Sequence, residues 1–257
     1  EELRERIRER FAYRYPHANL AGLYTKTTVS ELKIAAMEEV EDYAFHAFEK
    51  QEVEPYLPVF MRGKTEVSGA TRGSAVHKVM ELLDFSIQHD FMKETKQKQV
   101  EIIKTQIDQM QKSGRLDPIY AEAVAPQKIS TFFGSALAAR MAAAGECDLL
   151  RREQPFVYGI SADRLTSPKG IEETGQNIGF PPEETVLIQG IIDVFFEEDD
   201  ALVLADYKTD VVKTPEELIQ RYKVQLDYYE EALSKITGKK VKERILYSFY
   251  LGCEIQA

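Results

Sequence analysis

Apolar residues recur three and four positions apart through much of the first half of the chain, which is the period of a helix buried on one side. Four stretches show this spacing: residues 28–48, 71–88, 97–114 and a segment that follows Ser130. Gly114 stands where the third pattern stops, a common position for glycine just after a helix. The pattern therefore predicts a mainly helical part over residues 31–145.

The pattern changes in the second part of the chain. Short runs rich in β-branched and aromatic residues indicate strands, at residues 153–161, 185–196, 201–208 and 243–252. Residues 162–185 are rich in Gly and Pro, which predicts a long loop. A helical pattern separates the third and fourth strands. The order β, β, β, α, β predicts an α/β core over residues 146–257.

The helix between those strands, at residues 214–238, carries the clearest boundary signals. Thr214 and Glu217 have the spacing of a capping box, and Pro215 occupies the first helical position. Gly238 is placed to end the helix.

Charged residues end an otherwise apolar strand in the sequence ALVLADYKTD. Side chains alternate along a strand, so Asp206 and Lys208 point to the same side. A hairpin turn at residues 197–200 sets Asp193 opposite Leu204 and diagonal to Asp206, on that same face. Two carboxylates and a lysine are therefore expected to converge where the strand pair ends.

Two chemistries fit this convergence. Carboxylates held together repel each other, and a divalent cation relieves the repulsion, as in metal-assisted phosphoryl chemistry. The alternative is a structural ion-pair network between Lys208 and the two acids, Asp193 and Asp206.

Composition and charge argue against several classes of function for this chain. The formal net charge of −10 argues against broad coating of nucleic acid but leaves a local groove open. Cys147 and Cys253 are too few for a four-thiolate zinc or iron–sulfur site. No apolar stretch approaches the ~20 residues of a membrane span. A charged beginning without an initiator Met leads us to expect a piece of a longer polypeptide.

Five motifs in order resemble the RecB family of the PD-(D/E)XK nuclease superfamily. They are GSAVH (73–77), REQPF around Glu153, GIIDVFF with Asp193, ADYKTD (205–210) and QLDYY (225–229). The segments VSELK and YSFYLG are similar to those of AddA-type nuclease domains. The resemblance implies an αβββαβ core with a mixed central sheet and an extra N-terminal helical region.

The resemblance also implies roles for the charged residues. His77, Asp193 and Asp206 would bind Mg2+, or Mn2+, together with the carbonyl of Tyr207. Lys208 would be the catalytic lysine, beside the catalytic acids. On position alone, His77 also fits a half-buried helical histidine without a ligand role.

Three further residues are expected to support the site. By resemblance, Glu153 lies at the rim of the site, although it could instead pair with Arg151 or Arg152. Gln225 and Tyr229 share one helical face and would organise the site, or simply pack on the sheet.

The implied activity is that of a Mg2+-dependent deoxyribonuclease, an exonuclease without an iron–sulfur cluster. It would serve an ATP-dependent helicase–nuclease that processes double-strand DNA breaks for recombination. The expected partners are single strands from the break ends, a helicase region of the same polypeptide and an AddB-like protein. The expected location is the bacterial cytoplasm, near the nucleoid.

In this scheme residues 1–30 form a linker or lead-in from the helicase region, and residues 31–257 form the nuclease domain. Two other interpretations remain: an inactive nuclease fold that guides DNA or docks a partner, and a free-standing RecB-like exonuclease. A further basic segment, residues 235–244, could contact phosphate or could be a soluble helix end.

The charge balance generates a first prediction. At a net charge of −10, the isolated chain should bind DNA weakly, and that binding should fall steeply as salt rises. Fluorescence anisotropy of labelled single-stranded DNA over a salt series measures this. Tight binding at moderate salt would reveal a continuous basic groove that the sequence does not show.

Overall fold

The computed structural model describes residues 2–13, 25–40, 69–164 and 183–257. The helices in these ranges are α1 (Glu2–Ala12), α2 (Val29–Val40), α3 (Gly69–Leu82), α4 (Gln88–Phe91), α5 (Lys96–Lys112), α6 (Pro118–Ala123), α7 (Pro126–Phe133), α8 (Ala136–Glu146) and α9 (Pro215–Thr237). The strands are β1 (Lys26–Thr28), β2 (Leu150–Ser161), β3 (Thr185–Glu198), β4 (Ala201–Lys208), β5 (Val241–Ser248) and β6 (Cys253–Gln256). Among these described helices, none is both long and apolar enough to span a membrane.

The chain forms two compact units. The smaller unit comprises Glu1–Val29 and Val157–Gly190. In it, β1 pairs in parallel with the beginning of β3, with Thr27 opposite Ile188. The strand β1 has only three residues, too few for an alternating pattern to predict it.

The larger unit comprises Ser30–Phe156 and Ile191–Ala257 and contains a mixed sheet. Strand β4 pairs antiparallel with β3 and parallel with β5, and β5 pairs antiparallel with β6. The parallel β4–β5 pair is joined through α9, since parallel neighbours need a crossover connection. The predicted α/β class with a mixed sheet is confirmed.

The two faces of β4 are covered differently. Val203, Ala205 and Tyr207 belong to the large apolar core, together with aromatic residues of α7 such as Phe132. The ring centroids of Phe132 and Tyr207 lie 5.5 Å apart in an edge-to-face arrangement. The alternate β4 residues, among them Asp206, lie on the side from which α9 makes contact. Both faces of the strand are therefore buried.

The β3–β4 turn is shorter than predicted. Glu198 pairs with Ala201, so only Asp199 and Asp200 form the turn, with φ values of 54° and 59°. Two positive φ values match the type I′ turn, whose twist suits a hairpin. The predicted pairing of Asp193 with Leu204 is wrong, because the register is shifted by two residues. A shift of two keeps every side chain on its predicted face.

Two predicted helices are interrupted. The helix predicted over residues 71–88 ends at Leu82, where the Arg152 side chain donates hydrogen bonds to the carbonyls of Met80 and Leu83. These bonds satisfy acceptors that a helix end leaves free. The helix after Ser130 is broken in two, because the Ser135 hydroxyl accepts from the Ala138 amide and starts α8.

The outline of α9 is confirmed, but its capping box is wrong. The helix begins at Pro215 and ends before Gly238, which has a left-handed φ of 72°. Thr214 makes no side-chain cap hydrogen bond. Glu217 instead accepts from the amide of Lys213 at 3.1 Å, one residue before the expected donor.

Two lysines of the basic segment 235–244 pair with acids at the β3–β4 hairpin turn. The ammonium of Lys239 contacts the carboxylates of Glu197 and Asp200. Lys242 contacts Glu198 and Asp199. These lysines are held by acids, which disfavours the phosphate-contacting interpretation of the segment. The helix predicted over residues 28–48 is present through Val40, and the rest of it lies outside the described residues.

Arg140 of α8 ties two strands of the sheet together. Its guanidinium donates to both carboxylate oxygens of Glu198 on β3 and of Glu243 on β5, at 2.7–3.0 Å. The contact with Arg140, together with a hydrogen bond from Lys242, lowers the pKa of Glu198 to about 2. Such bidentate pairs have a fixed geometry, which distinguishes them from ordinary surface ion pairs.

Replacement of this arginine gives a stability prediction. Arg140→Ala should lower the free energy of unfolding by about 2 kcal/mol, because Glu243 loses the guanidinium and Glu198 is left with Lys242. The matched control is Arg151→Ala, an exposed arginine paired only with nearby Asp148, which should change it by less than about 0.5 kcal/mol. Chemical denaturation measures both.

The same contact has a pH signature. The stabilisation from Glu198 is complete above its unfolded pKa and should disappear as the pH falls toward about 2, so the wild type and Arg140→Ala should converge in acid. Equal effects of the two arginine variants would contradict the proposed role of Arg140.

Candidate active site

Four elements of the larger unit bring ionisable side chains together: α3 with His77, β2 with Glu153, β3 with Asp193, and β4 with Asp206 and Lys208. All five residues were singled out from the sequence. Asp193, Asp206 and Lys208 are buried, whereas His77 and Glu153 are partly exposed. Polar groups lose water when buried, so their partners decide what they can do.

Helix α3 lies close to the end of β4 through Gly73. A β-carbon on this glycine would come within 3.3 Å of the Thr209 hydroxyl, which is tighter than ordinary contact. His77 follows one turn later, and its Nδ1 lies 3.2 Å from Asp193 Oδ1 and 3.6 Å from Glu153 Oε1. In the GSAVH motif, Gly73 allows α3 to lie close to the end of β4, and this position brings His77 to the carboxylates.

The carboxylates raise the pKa of His77. Burial alone would lower it, but the interactions with the Asp193 and Glu153 carboxylates outweigh that effect and raise the pKa to about 10. The carboxylates of Asp193 and Glu153 therefore concentrate negative charge beside His77. Negative charge of this kind also suits a metal cation.

Glu153 has a strained backbone within β2. Its φ of 47° lies in the left-handed region, which is unfavourable for a residue with a side chain. Its Oε1 atom is buried and has no hydrogen-bond partner in the described structure. The alternative of a pair with a neighbouring arginine is wrong, because Arg151 contacts Asp148 and Arg152 contacts α3 carbonyls.

Asp193 links the two strands where their ladder stops. The paired register ends at Val194 opposite Ala205, and beyond it the amide of Tyr207 donates to Asp193 Oδ2 at 2.7 Å. Burial tends to raise the pKa of Asp193, but contacts with His77, Lys208 and this amide together lower it. Asp193 is therefore ionised, with one oxygen held by the backbone and the other turned toward His77.

Asp206 and Lys208 form a buried ion pair. Asp206 Oδ2 lies 2.5 Å from Lys208 Nζ. Burial, helped by repulsion from Asp193, raises the pKa of Asp206 to about 7 against the opposing effect of Lys208. The two acids raise the pKa of Lys208 despite its burial. The lysine is thus charged and held in one place.

Helix α9 supports this pair from one side. Gln225 Nε2 lies 3.3 Å from Asp206 Oδ1 and donates to the Tyr229 hydroxyl at 2.9 Å. Tyr229 packs edge-to-face on Phe156, with centroids 5.6 Å apart. The structure therefore brings Gln225 and Tyr229 to the predicted site, and it gives them both packing contacts and polar ones.

Tyr207 turns its side chain away from the ion pair, as alternation predicts. Its hydroxyl lies 3.7 Å from Met141 Sδ in the core. The role of its carbonyl as a metal ligand stays a prediction.

The donor atoms fit a divalent cation. Ligand atoms of His77, Glu153 and Asp193 all lie within 4.8 Å of one another. Glu153 Oε1 is buried, lies 3.6 Å from His77 Nδ1 and has no hydrogen-bond partner in the described structure, and a bound cation would contact it directly. One imidazole nitrogen with carboxylate oxygens is a donor set that can hold a divalent metal ion. This group contains Glu153, which was expected at the rim of the site with a reach to the metal through water, and it does not contain Asp206, which is paired with Lys208.

Two contributing residues were missed at the sequence level. The ring of Tyr222 lies 4.0 Å from Lys208 Nζ, and its hydroxyl donates to Asp210 Oδ2 at 2.9 Å. Asp210 also accepts from Arg221 at 3.0 Å. A signal was present: Tyr222 lies three residues before Gln225, on the same face of α9.

Comparisons with known proteins agree with this geometry. A family model for the PD-(D/E)XK nuclease superfamily matches residues 43–255. Proteins named as subunits of an ATP-dependent helicase/nuclease are 32% identical in Lachnoclostridium phytofermentans, 34% in Clostridium novyi and 36% in a Thermoanaerobacter species. Each match covers 98% of this chain but only 22%, 19% and 19% of the relative.

The chain thus spans about a fifth of the length of the curated relatives that it matches. The family match covers most of the chain and includes all the residues of the candidate site. The chain belongs to the PD-(D/E)XK nuclease superfamily.

Proposed function

We propose that this chain is a nuclease module that hydrolyses phosphodiester bonds in DNA with the help of Mg2+. One observation carries the proposal: a His–Glu–Asp group able to hold a cation lies beside a buried Asp206–Lys208 pair. Phosphoryl transfer needs little covalent chemistry from the protein and depends on positioning and on charge stabilisation.

His77, Glu153 and Asp193 would hold the cation, and Asp206 and the Tyr207 carbonyl are further candidates. When bound, a divalent cation supplies Lewis-acid stabilisation of phosphate charge and makes water more acidic. The chain's own contribution is to hold these donors together, with Asp193 buried and with His77 and Glu153 partly exposed. The Tyr207 backbone amide contacts one oxygen of the Asp193 carboxylate, and the His77 imidazole contacts the other, so the carboxylate is held in one orientation.

Lys208 would act on the reacting phosphate directly. Its ammonium is almost completely buried, and Asp206 keeps it protonated. A fixed ammonium stabilises the negative charge that develops on a phosphate oxygen and can orient the attacking water. Gln225 and Tyr229 keep Asp206 in place, so they are positioning residues.

The wider role is inferred from relatives and resemblance. Proteins similar to this chain are named as ATP-dependent helicase/nucleases, which supports a module that receives single strands from an attached helicase. On this basis the module would act as an exonuclease that processes double-strand DNA breaks for recombination. It would work with an AddB-like partner in a bacterial cytoplasm. Its lead-in would be residues 1–30.

The metal group generates a test at Glu153. In the wild type, added Mn2+ should raise the melting temperature, since a ligand that binds only the folded state stabilises it. In Glu153→Gln this rise should shrink strongly, because a charged ligand is lost. The melting temperature in EDTA should change little, because glutamine keeps the shape of the side chain and only the 3.6 Å charge contact with His77 is lost.

Glu101→Gln on α5 is the matched control, because that glutamate is exposed and distant in sequence from every site residue. An unchanged Mn2+ response in Glu153→Gln would show that the cation binds without this carboxylate.

The ion pair gives a second test, which separates a nuclease from an inactive scaffold. Asp206→Ala should abolish cleavage and lower the free energy of unfolding by about 3–5 kcal/mol in EDTA, because it leaves a buried ammonium unpaired. Combining it with Lys208→Met should restore most of the stability without restoring cleavage. Denaturation curves and a Mg2+ time course on single-stranded DNA measure the two effects.

A stable double variant that still cuts DNA would exclude the pair from the chemistry. A wild-type chain that is folded, binds DNA and never cuts it would favour the scaffold.

A further inference from the structure

A second lysine lies beside the catalytic pair. Lys33, on α2, has its Nζ 4.3 Å from the centre of the Tyr222 ring, and Lys208 Nζ lies 4.0 Å from the same centre. The two ammonium groups are therefore no further apart than the sum of these distances. Both sit within the range in which an aromatic ring attracts a cation.

The charge of Lys33 is not matched by an acid of its own. Within the described ranges, no carboxylate lies within ion-pair distance of Lys33 Nζ, whereas Lys208 is paired with Asp206. Burial lowers the pKa of Lys33, and repulsion from Lys208 lowers it further. Asp210 and Asp206 oppose this effect from a distance, but Asp210 is already engaged by Arg221 and Tyr222.

A bound anion would neutralise the positive charge of Lys33, which no carboxylate of the described residues pairs with. Two ammonium groups around one ring attract negative charge, and Asp206 is taken by one of them. In a nuclease, the anion available next to the reacting group is a phosphate of the substrate strand. Lysine suits such a contact because its ammonium is a compact point charge on a flexible stem.

We propose that Lys33 binds a backbone phosphate of the DNA strand, next to the phosphate that Lys208 serves. This inference rests on the proposed nuclease function and adds a residue to it. Tyr222 contacts both ammonium groups, Asp210 accepts a hydrogen bond from the Tyr222 hydroxyl, and Arg221 holds Asp210. The VSELK segment thus acquires a role: it supplies the substrate-binding lysine from a helix that precedes the core.

The competing explanation is structural, with Lys33 stabilising the fold through its contact with Tyr222. The two explanations differ in their salt dependence. A lysine that neutralises a phosphate releases a counterion, so its removal changes how binding responds to salt. A purely structural lysine changes the melting temperature and leaves that response unaltered.

The test compares the wild-type chain with Lys33→Gln, Lys33→Arg and Lys104→Gln. Lys104 is an exposed lysine of α5, so its replacement removes the same charge away from the site. Binding of a fluorescent single-stranded oligonucleotide is measured by anisotropy in EDTA over a salt series. Cleavage kinetics in Mg2+ and melting temperatures are measured on the same proteins.

For Lys33→Gln we expect a Kd about fivefold higher at low salt, because one phosphate contact is lost. The slope of log K against log salt should shrink by about 0.7, the value of one phosphate on a single strand. KM should rise with kcat almost unchanged. Lys33→Arg should restore binding, and Lys104→Gln should behave like the wild type.

An unchanged Kd and salt slope in Lys33→Gln, or an equal loss in Lys104→Gln, would overturn the inference. Lys33→Met, which keeps the aliphatic length of the side chain, replaces Lys33→Gln if the latter fails to fold. If no protein cleaves DNA, the proposed function fails, while the binding data in EDTA still decide the role of Lys33.

Discussion

The buried pair of Asp206 and Lys208 is the constraint on which the site depends. A strand that is covered on both faces can contain charges only if each one finds a partner. Asp206 meets Lys208 on one oxygen and Gln225 on the other. This need explains the polar stripe on α9, because a helix that packed only on apolar residues would not place a glutamine there.

The same logic extends from the pair to its neighbours. Tyr222 gives Lys208 an aromatic surface and in turn needs an acceptor, which Asp210 provides. Each buried polar group in this network needs a hydrogen-bond or ionic partner, and the network ends where the side chains reach solvent. The cost of an unpaired group in the interior is what holds these residues in one arrangement.

The alternation of β4 and the order of the motifs were enough to predict which charged residues meet. The predicted register was wrong by two residues because the turn consists of two left-handed residues, Asp199 and Asp200. Two consecutive aspartates are a weaker sequence signal for such a turn than Asn-Gly. Because strand alternation has a period of two, the error did not move Asp193 to the other face. The prediction of the site therefore survived an error in the hairpin.

Other features depend on contacts between distant segments, which a linear pattern cannot contain. The left-handed backbone of Glu153 follows from neither its identity nor its position in an apparent strand. The end of α3 is set by Arg152, which lies about 70 residues further along the chain. Glu217 shows the reverse case: the right residue at the right spacing bonded to an amide one position away.

The division of labour along β4 has a consequence for how this domain can change over evolutionary time. Val203, Ala205 and Tyr207 belong to the large apolar core, whereas Asp206 and Lys208 form the ion pair on the opposite face. Substitutions of Val203 or Ala205 reach Asp206 and Lys208 through the shared backbone, whereas the Tyr207 ring also meets the site directly, with its centroid 6.1 Å from that of His77. Packing and activity can therefore drift separately, so relatives can repack their interiors extensively while the reactive arrangement stays the same.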